Sequence, residues 1–112
     1  MTRKDQSMSQ YFRTHQQWSR ATFGRTDRRA GLLAHLSREI EETAQAMITG
    51  QGLLEEIVDI IIIAVDLALN SGFTPAQLAR ALWLKQKTNA ARCWPEPVDG
   101  QPTEHIKAVR DD

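Results

Sequence analysis

Apolar and aromatic residues fall on a sparse stripe near the start of the chain, at Met8, Tyr11, Phe12, His15, Trp18 and Phe23, in otherwise polar surroundings. The spacing predicts a helix from about residue 5 to residue 21, broken by Phe23-Gly24. Asp27 is the expected N-cap of a second helix running to about Ile48. Its apolar positions Leu32, Leu33, Leu36, Ile40, Ala44 and Met47 fit a period of 3.6, and Gly50-Gln51-Gly52 ends it. A third helix follows from about Leu53 to Asn70. It is apolar nearly all round and is therefore expected at the centre of the fold, buried. The run Ile60-Ile61-Ile62-Ile63 has strand propensity, but the pattern outlasts strand length and has no second strand to pair with. Ser71-Gly72 is the expected stop, with glycine suited to a left-handed position past the helix end. Thr74-Pro75-Ala76-Gln77 then carries a Thr cap, Pro at the first helical position and Gln completing a capping box. The fourth helix is expected to run to about Arg92 and to stop before Trp94-Pro95. The fold class is all-α with four helices. Residues 1–95 are expected to form one helical domain, and the Pro- and Gly-containing residues 96–112 an extended or flexible tail.

At 112 residues, with 41% hydrophobic and 25% charged positions, the composition is that of an ordinary globular domain. The single cysteine, Cys93, excludes an internal disulfide framework and a cysteine zinc cage. The stretch Ile57–Leu69 contains Asp59 and Asp66 and is too short and too charged for a membrane span. No membrane association is expected, and a reducing cytoplasm is the expected compartment. The net charge of zero argues against a protein held to nucleic acid by bulk charge. That zero hides a segregation: residues 1–38 carry +6, residues 39–79 carry −7 without a single base, and residues 80–112 carry +1.

The acidic middle contains a constellation. Glu39 and Glu42 are three apart on the second helix, and Glu56 and Asp59 three apart on the third, so each pair shares a face. The glycine-bounded turn makes these helices antiparallel neighbours, which can bring all four carboxylates together. Like charges at about 4 Å repel by roughly 4 kcal/mol per pair at an effective dielectric of 20. Either pair alone reads as a solvated helix face. Both together, with Asp59 inside an isoleucine run and no base nearby, call for a cation. Mg²⁺ or Mn²⁺ suits an all-oxygen cluster that leaves positions open for water and phosphate. A di-iron bundle would need Glu-x-x-His, and none of His15, His35 and His105 follows a Glu by three.

Other residues extend the pattern. Asp66 lies seven residues after Asp59, on nearly the same stripe, as a ligand contact or as an acceptor at a helix–helix contact. His35 lies four residues before Glu39 on the same face, as a structural histidine or as a contact to substrate or metal. Lys85, Asn89 and Arg92 fall at i, i+4 and i+7 on the fourth helix and form one polar stripe, either solvated or aimed at a polyphosphate.

ExxE, a short gap, ExxD and then KxxxNxxR on the next helix resemble the MazG-like all-α nucleoside triphosphate pyrophosphohydrolases. The ordered set of Trp18, Phe23-Gly24, His35-Leu36, Glu39, Glu42, Glu56, Asp59, Asp66, Gly72, Lys85-Gln86, Asn89, Arg92 and Trp94-Pro95 is similar to one subgroup. This is the dATP/dGTP diphosphohydrolase (MazZ-like) proteins of phages and bacteria. The resemblance implies a four-helix, oligomeric MazG-like bundle, as a dimer or a dimer of dimers. It also implies hydrolysis of a nucleoside triphosphate, dGTP or dATP in the closer subgroup, to the monophosphate and pyrophosphate. Glu39, Glu42, Glu56 and Asp59 would hold two or three Mg²⁺ or Mn²⁺ ions that activate water and neutralise phosphate. Lys85, Asn89 and Arg92 would contact phosphates or sugar. Gln17, Trp18, Phe23, His35 and Asp66 are the candidates for the base and sugar pocket. Two other classes compete. Residues 71–82 could pass for a helix-turn-helix, but they offer no base before Arg80 and follow the −7 segment. A non-enzymatic helical interaction protein would use the acids as a charged face and show no dependence on divalent ions.

Overall fold

The computed structural model describes residues 7–107. It contains four helices: α1 (Met8–Phe23), α2 (Arg29–Thr49), α3 (Leu53–Asn70) and α4 (Pro75–Ala91). Among the described residues there is no strand, only an isolated antiparallel bridge between Cys93 and Ile106. The all-α, four-helix class expected from the sequence is the one observed. No single described helix is long and apolar enough to cross a membrane.

Local chemistry explains most boundaries. Ser7 caps α1, its hydroxyl accepting from the Gln10 N–H at 3.1 Å. The helix therefore starts later than residue 5, and residues 5 and 6 lie outside the described part. Gly50, left-handed at φ 72° and ψ 10°, ends α2 and returns its N–H to the Ala46 carbonyl. The Thr74 capping box forms in full: Gln77 N–H donates to Thr74 Oγ1 at 3.1 Å, and Thr74 N–H donates to Gln77 Oε1 at 2.9 Å. The start of α2 differs from expectation. Its cap is Arg28, which makes no capping bond through its side chain, and Asp27 sits one residue earlier. The Asp27 carboxylate instead accepts the Arg29 backbone N–H at 3.1 Å and pairs with the Arg29 guanidinium. The Arg28 side chain turns inward instead, to Asp66 of α3.

The chain divides into two compact units, Met1–Ala79 and Arg80–Asp112. In the first, α2 and α3 form a hairpin with the most extensive helix–helix contact, and α1 packs on α3. Phe12 of α1 meets Val65 and Leu69 of α3, with Met8, Leu78 and Ala79 packed around them. Burying Phe12 stabilises by roughly 1.5–3 kcal/mol. Leu32 and Ala46 of α2 and Ile63 of α3 complete the buried apolar set. The expectation of a wholly buried α3 is corrected. Its buried residues, Ile63, Val65, Asp66 and Leu69, all lie in the C-terminal half, where α1 covers it. Leu54 is 70% exposed and Ile61 54%, and across the hairpin Met47 of α2 is 68% exposed. The surplus apolar surface thus runs along both α2 and the first half of α3.

In the second unit the chain after α4 folds back on itself. Ile106 N–H donates to the Cys93 carbonyl at 2.7 Å, and the Trp94 ring meets His105 edge-on at 5.8 Å. Trp94 Nε1 donates to the Asn89 carbonyl at 2.7 Å, and Arg92 Nη1 donates to Asn89 Oδ1 at 3.3 Å. Where an extended or flexible tail is expected over 96–112, the described part through 107 is a loop whose ends meet.

Candidate metal centre

The turn at Gly50–Gly52 sets the register of the α2–α3 hairpin, and that register brings Glu39 of α2 opposite Glu56 and Asp59 of α3. One ligand oxygen from each of these three lies within 4.8 Å of the others. Glu39 is buried, Glu56 half-buried and Asp59 exposed, so the cluster opens from the hairpin interior to solvent. His35, Ile62 and Ile63 join Glu39 and Asp59 around a cavity of about 220 Å³.

Two carboxylate oxygens in this cluster, Glu39 Oε2 and Glu56 Oε2, are buried without a hydrogen-bond donor. Unpartnered buried anions are costly, and a divalent cation is the partner that an all-carboxylate set can take. The donor set therefore fits Mg²⁺ or Mn²⁺ in kind. Glu42 does not join the three. It is exposed and walls a separate shallow hollow with Arg38, Glu41, Ala44 and Gln45. It is nevertheless close enough to repel a charge on Glu56. The expected four-carboxylate set is thus a tight group of three with Glu42 at its edge.

Without a cation, a proton is the alternative partner. The Glu56 carboxyl is pushed up from its ordinary 4.5 to about 7. The first cause is the hydrogen bond that its protonated form makes with Glu39; burial follows, then the charges of Glu39, Glu42 and Asp59. The consequence for stability has a definite sign. Between 4.5 and about 7 the folded state holds a proton that the unfolded state has lost. Stability contributed by this group is therefore full below the lower value and is lost as pH rises through the upper one. Thermal melts in EDTA should show the midpoint falling across this window. Saturating Mg²⁺ should flatten the slope, because the ion binds the ionised form. A midpoint that rises across the window in EDTA would contradict the arrangement.

A second polar group lies two turns further along α3. Asp66 is buried and accepts from Arg28 Nη1 at 3.0 Å, from Arg28 Nη2, and from Ser19 Oγ at 2.8 Å. His15 Nε2 sits 3.2 Å from Asp66 Oδ1, at ion-pair distance but outside hydrogen-bonding geometry. The Arg28 guanidinium also lies 4.4 Å over the Phe23 ring. Asp66 is therefore an internal acceptor that ties α1, the α1–α2 connection and α3 together. It forms part of the wall of a cavity of about 260 Å³ whose other polar residues include Gln16, Ser19, Arg20 and Asn70.

The remaining candidates on α1 face outward. Trp18 and Phe23 are about half exposed and make an edge-to-face pair at 5.5 Å. Gln17 is exposed, whereas its neighbour Gln16 is the one that lines the cavity. His35 contacts Glu39 at 3.2 Å. Lys85 and Asn89 lie one turn apart on α4, while Arg92 falls just past its end at Ala91 and is joined to Asn89 by the bond described above. Sequence reasoning missed Ser19 and Arg28 and gave His15 no role beyond the α1 stripe. His15 and Ser19 share the Phe12 stripe at helical spacing, which was a usable signal, but nothing local marks Arg28.

No curated protein and no solved structure matches the chain. The model of one family, the dATP/dGTP pyrophosphohydrolases, matches residues 11–112. That match takes in α2, α3, α4 and all but the first three residues of α1, and with them the three clustered carboxylates, the Asp66 network and the Lys85, Asn89 and Arg92 set. The chain belongs to the dATP/dGTP pyrophosphohydrolase family.

Proposed function

We propose that the protein is a Mg²⁺- or Mn²⁺-dependent diphosphohydrolase that converts dATP and dGTP to the monophosphate and pyrophosphate. The observation that carries this reading is the trio Glu39, Glu56 and Asp59, with two buried oxygens lacking any donor. Glu39, Glu56 and Asp59 would hold the ions, two or three in number, with Glu42 at the edge of the cluster as a further carboxylate. When bound, the ions supply Lewis acidity at the α-phosphorus and offset the charge of the triphosphate. Water attacks that phosphorus, its oxygen forming the new bond as the bridge to the β-phosphate breaks, and pyrophosphate leaves. A carboxylate of the cluster accepts the proton of the attacking water. Lys85, Asn89 and Arg92 bind the phosphates or the sugar.

Asp59, Ile62, Ile63, Asp66, Leu69 and Asn70 lie on one stripe of α3, and the two cavities open along it. The larger cavity is centred about 10 Å further along the helix than the acids. A nucleotide held by its phosphates at the cluster would extend its sugar and base in that direction. Asp66 serves there as a wall rather than a free charge, and Trp18, Phe23 and Gln17, which lie outside the lining of that cavity, would reach the base only from the exposed side of α1. The exposed apolar surface of α2 and α3 is covered by a second copy, giving a dimer or a dimer of dimers. Sedimentation should return two or four times the monomer mass of 12.7 kDa, and a monomer mass would contradict the assembly. The setting is the cytoplasm of a bacterium, or of a phage host, where the reaction controls the nucleotide pool or feeds a modified-base pathway.

A panel of dNTPs and NTPs tests the substrate assignment. The purine deoxynucleotides should give the highest kcat/KM, with monophosphate and pyrophosphate as products. Equal turnover of pyrimidine nucleotides would overturn the base assignment, and release of inorganic phosphate with a diphosphate would overturn the bond cleaved.

A further inference from the structure

Glu39 is the most enclosed acid of the cluster, with its side chain nine-tenths buried. Its two oxygens are not equivalent. Oε1 lies 3.2 Å from His35 Nε2, one helical turn earlier on α2, while Oε2 is buried and has no partner. His35 itself is about half exposed and borders the cavity that Glu39 and Asp59 share. A carboxylate can rotate about its last bond and present either oxygen, or both, to a cation. A donor fixed on one oxygen removes that freedom and leaves the other for the metal. Partners of this kind, which bond to a ligand rather than to the ion, commonly decide affinity by 10–100-fold.

We infer that His35 is a positioning residue: its Nε2–H holds Glu39 Oε1, so that Oε2 is the oxygen presented to the cation. The inference deepens the proposed metal site and rests on it. His35 needs no contact with ion or nucleotide for this role. Neutral imidazole with the proton on Nε2 suffices, and Nδ1 is then left as an acceptor. His35 is thereby moved from the base and sugar candidates to the support of the metal ligands. On α2 itself the Thr43 hydroxyl, one turn after Glu39, is not a rival donor, since it goes to the Glu39 backbone carbonyl at 2.8 Å.

The test is Mn²⁺ affinity of the full chain without nucleotide, by calorimetry or by the EPR signal of free Mn²⁺. His35→Leu should weaken binding by about 10–100-fold. His35→Gln, whose amide nitrogen reaches a position close to that of Nε2, should restore most of the affinity. At saturating Mn²⁺ the nucleotide KM of His35→Leu should stay at the wild-type value, and thermal melts should show both variants folded. Wild-type Mn²⁺ affinity in His35→Leu, alongside loss of binding in Glu39→Gln, would overturn the role of His35 and leave the metal site standing. A raised nucleotide KM in His35→Leu with unchanged Mn²⁺ affinity would place the residue on substrate and equally overturn it. Retention of Mn²⁺ by Glu39→Gln would remove the metal site itself, and the inference with it.

Discussion

Glu56→Gln should lower kcat for dGTP hydrolysis by at least about a thousandfold, an effect of the size seen when charge stabilisation is removed from a reacting centre. Gln has nearly the shape of Glu, so the α2–α3 hairpin keeps its packing. What is lost is one anionic ligand between Glu39 and Asp59, the residues that share the cluster with Glu56. The same change should act on stability in the opposite direction. In wild type, Glu39, Glu42 and Asp59 all disfavour a charge on Glu56. The amide removes that repulsion and supplies a donor to the cluster. In EDTA at pH 8 the variant should therefore melt above wild type, and in excess Mg²⁺ it should lose that advantage. Activity within threefold of wild type, or a lower melting midpoint in EDTA, would contradict the role given to this residue. An inert charged face predicts no such crossing of the two readouts.

The second large effect is structural. Asp66→Ala should cost about 3 kcal/mol, at the lower end of the range for breaking a buried ion pair, because Arg28 keeps partial access to solvent. The loss is greater than one contact. Arg28, Ser19 and His15 all converge on this carboxylate, and its removal leaves a largely buried guanidinium facing an apolar methyl group. For a domain of this size the melting midpoint should fall by more than about 10 °C. Asp27→Ala is the internal comparison. Asp27 also pairs with an arginine, and the Arg29 hydrogen bond holds its carboxyl well below the usual range, but the pair is exposed and screened by solvent. A shift of the midpoint several times smaller than that of Asp66→Ala is expected there at neutral pH, reflecting the lost bond to the Arg29 N–H. Denaturant titrations of both variants check the contrast. Equal effects would mean that burial of the Asp66 network contributes nothing special.

What the sequence discloses follows from how local each feature is. The bounds of α3, Leu53–Asn70, are legible because Gly52 and Ser71-Gly72 punctuate a continuous apolar run. The start of α4 is legible because Thr74 and Gln77 satisfy each other within a single turn. Glu39, Glu56 and Asp59 are legible as a group because a short glycine-bounded turn leaves two helices little choice but to lie antiparallel. Glu42 shows the limit of that logic. Helical spacing puts it on the same face as Glu39, but one turn of α2 separates a residue that faces α3 from one at its edge. The Asp66 network was not legible because it joins residues as far apart in sequence as His15 and Asp66, and only the docking of α1 on α3 creates it. The same docking explains α3 itself. Its composition calls for burial all round, but within one chain α1 reaches only its second half.

The most direct test of the account is the metal requirement of the reaction. Wild-type protein stripped with EDTA, then given dATP or dGTP with Mg²⁺, with Mn²⁺ or with neither, should be followed by ³¹P NMR. The account predicts no turnover without the ion. With either ion it predicts equal amounts of nucleoside monophosphate and pyrophosphate, with no orthophosphate. Undiminished hydrolysis in EDTA, or no hydrolysis of either nucleotide with either ion, would contradict it.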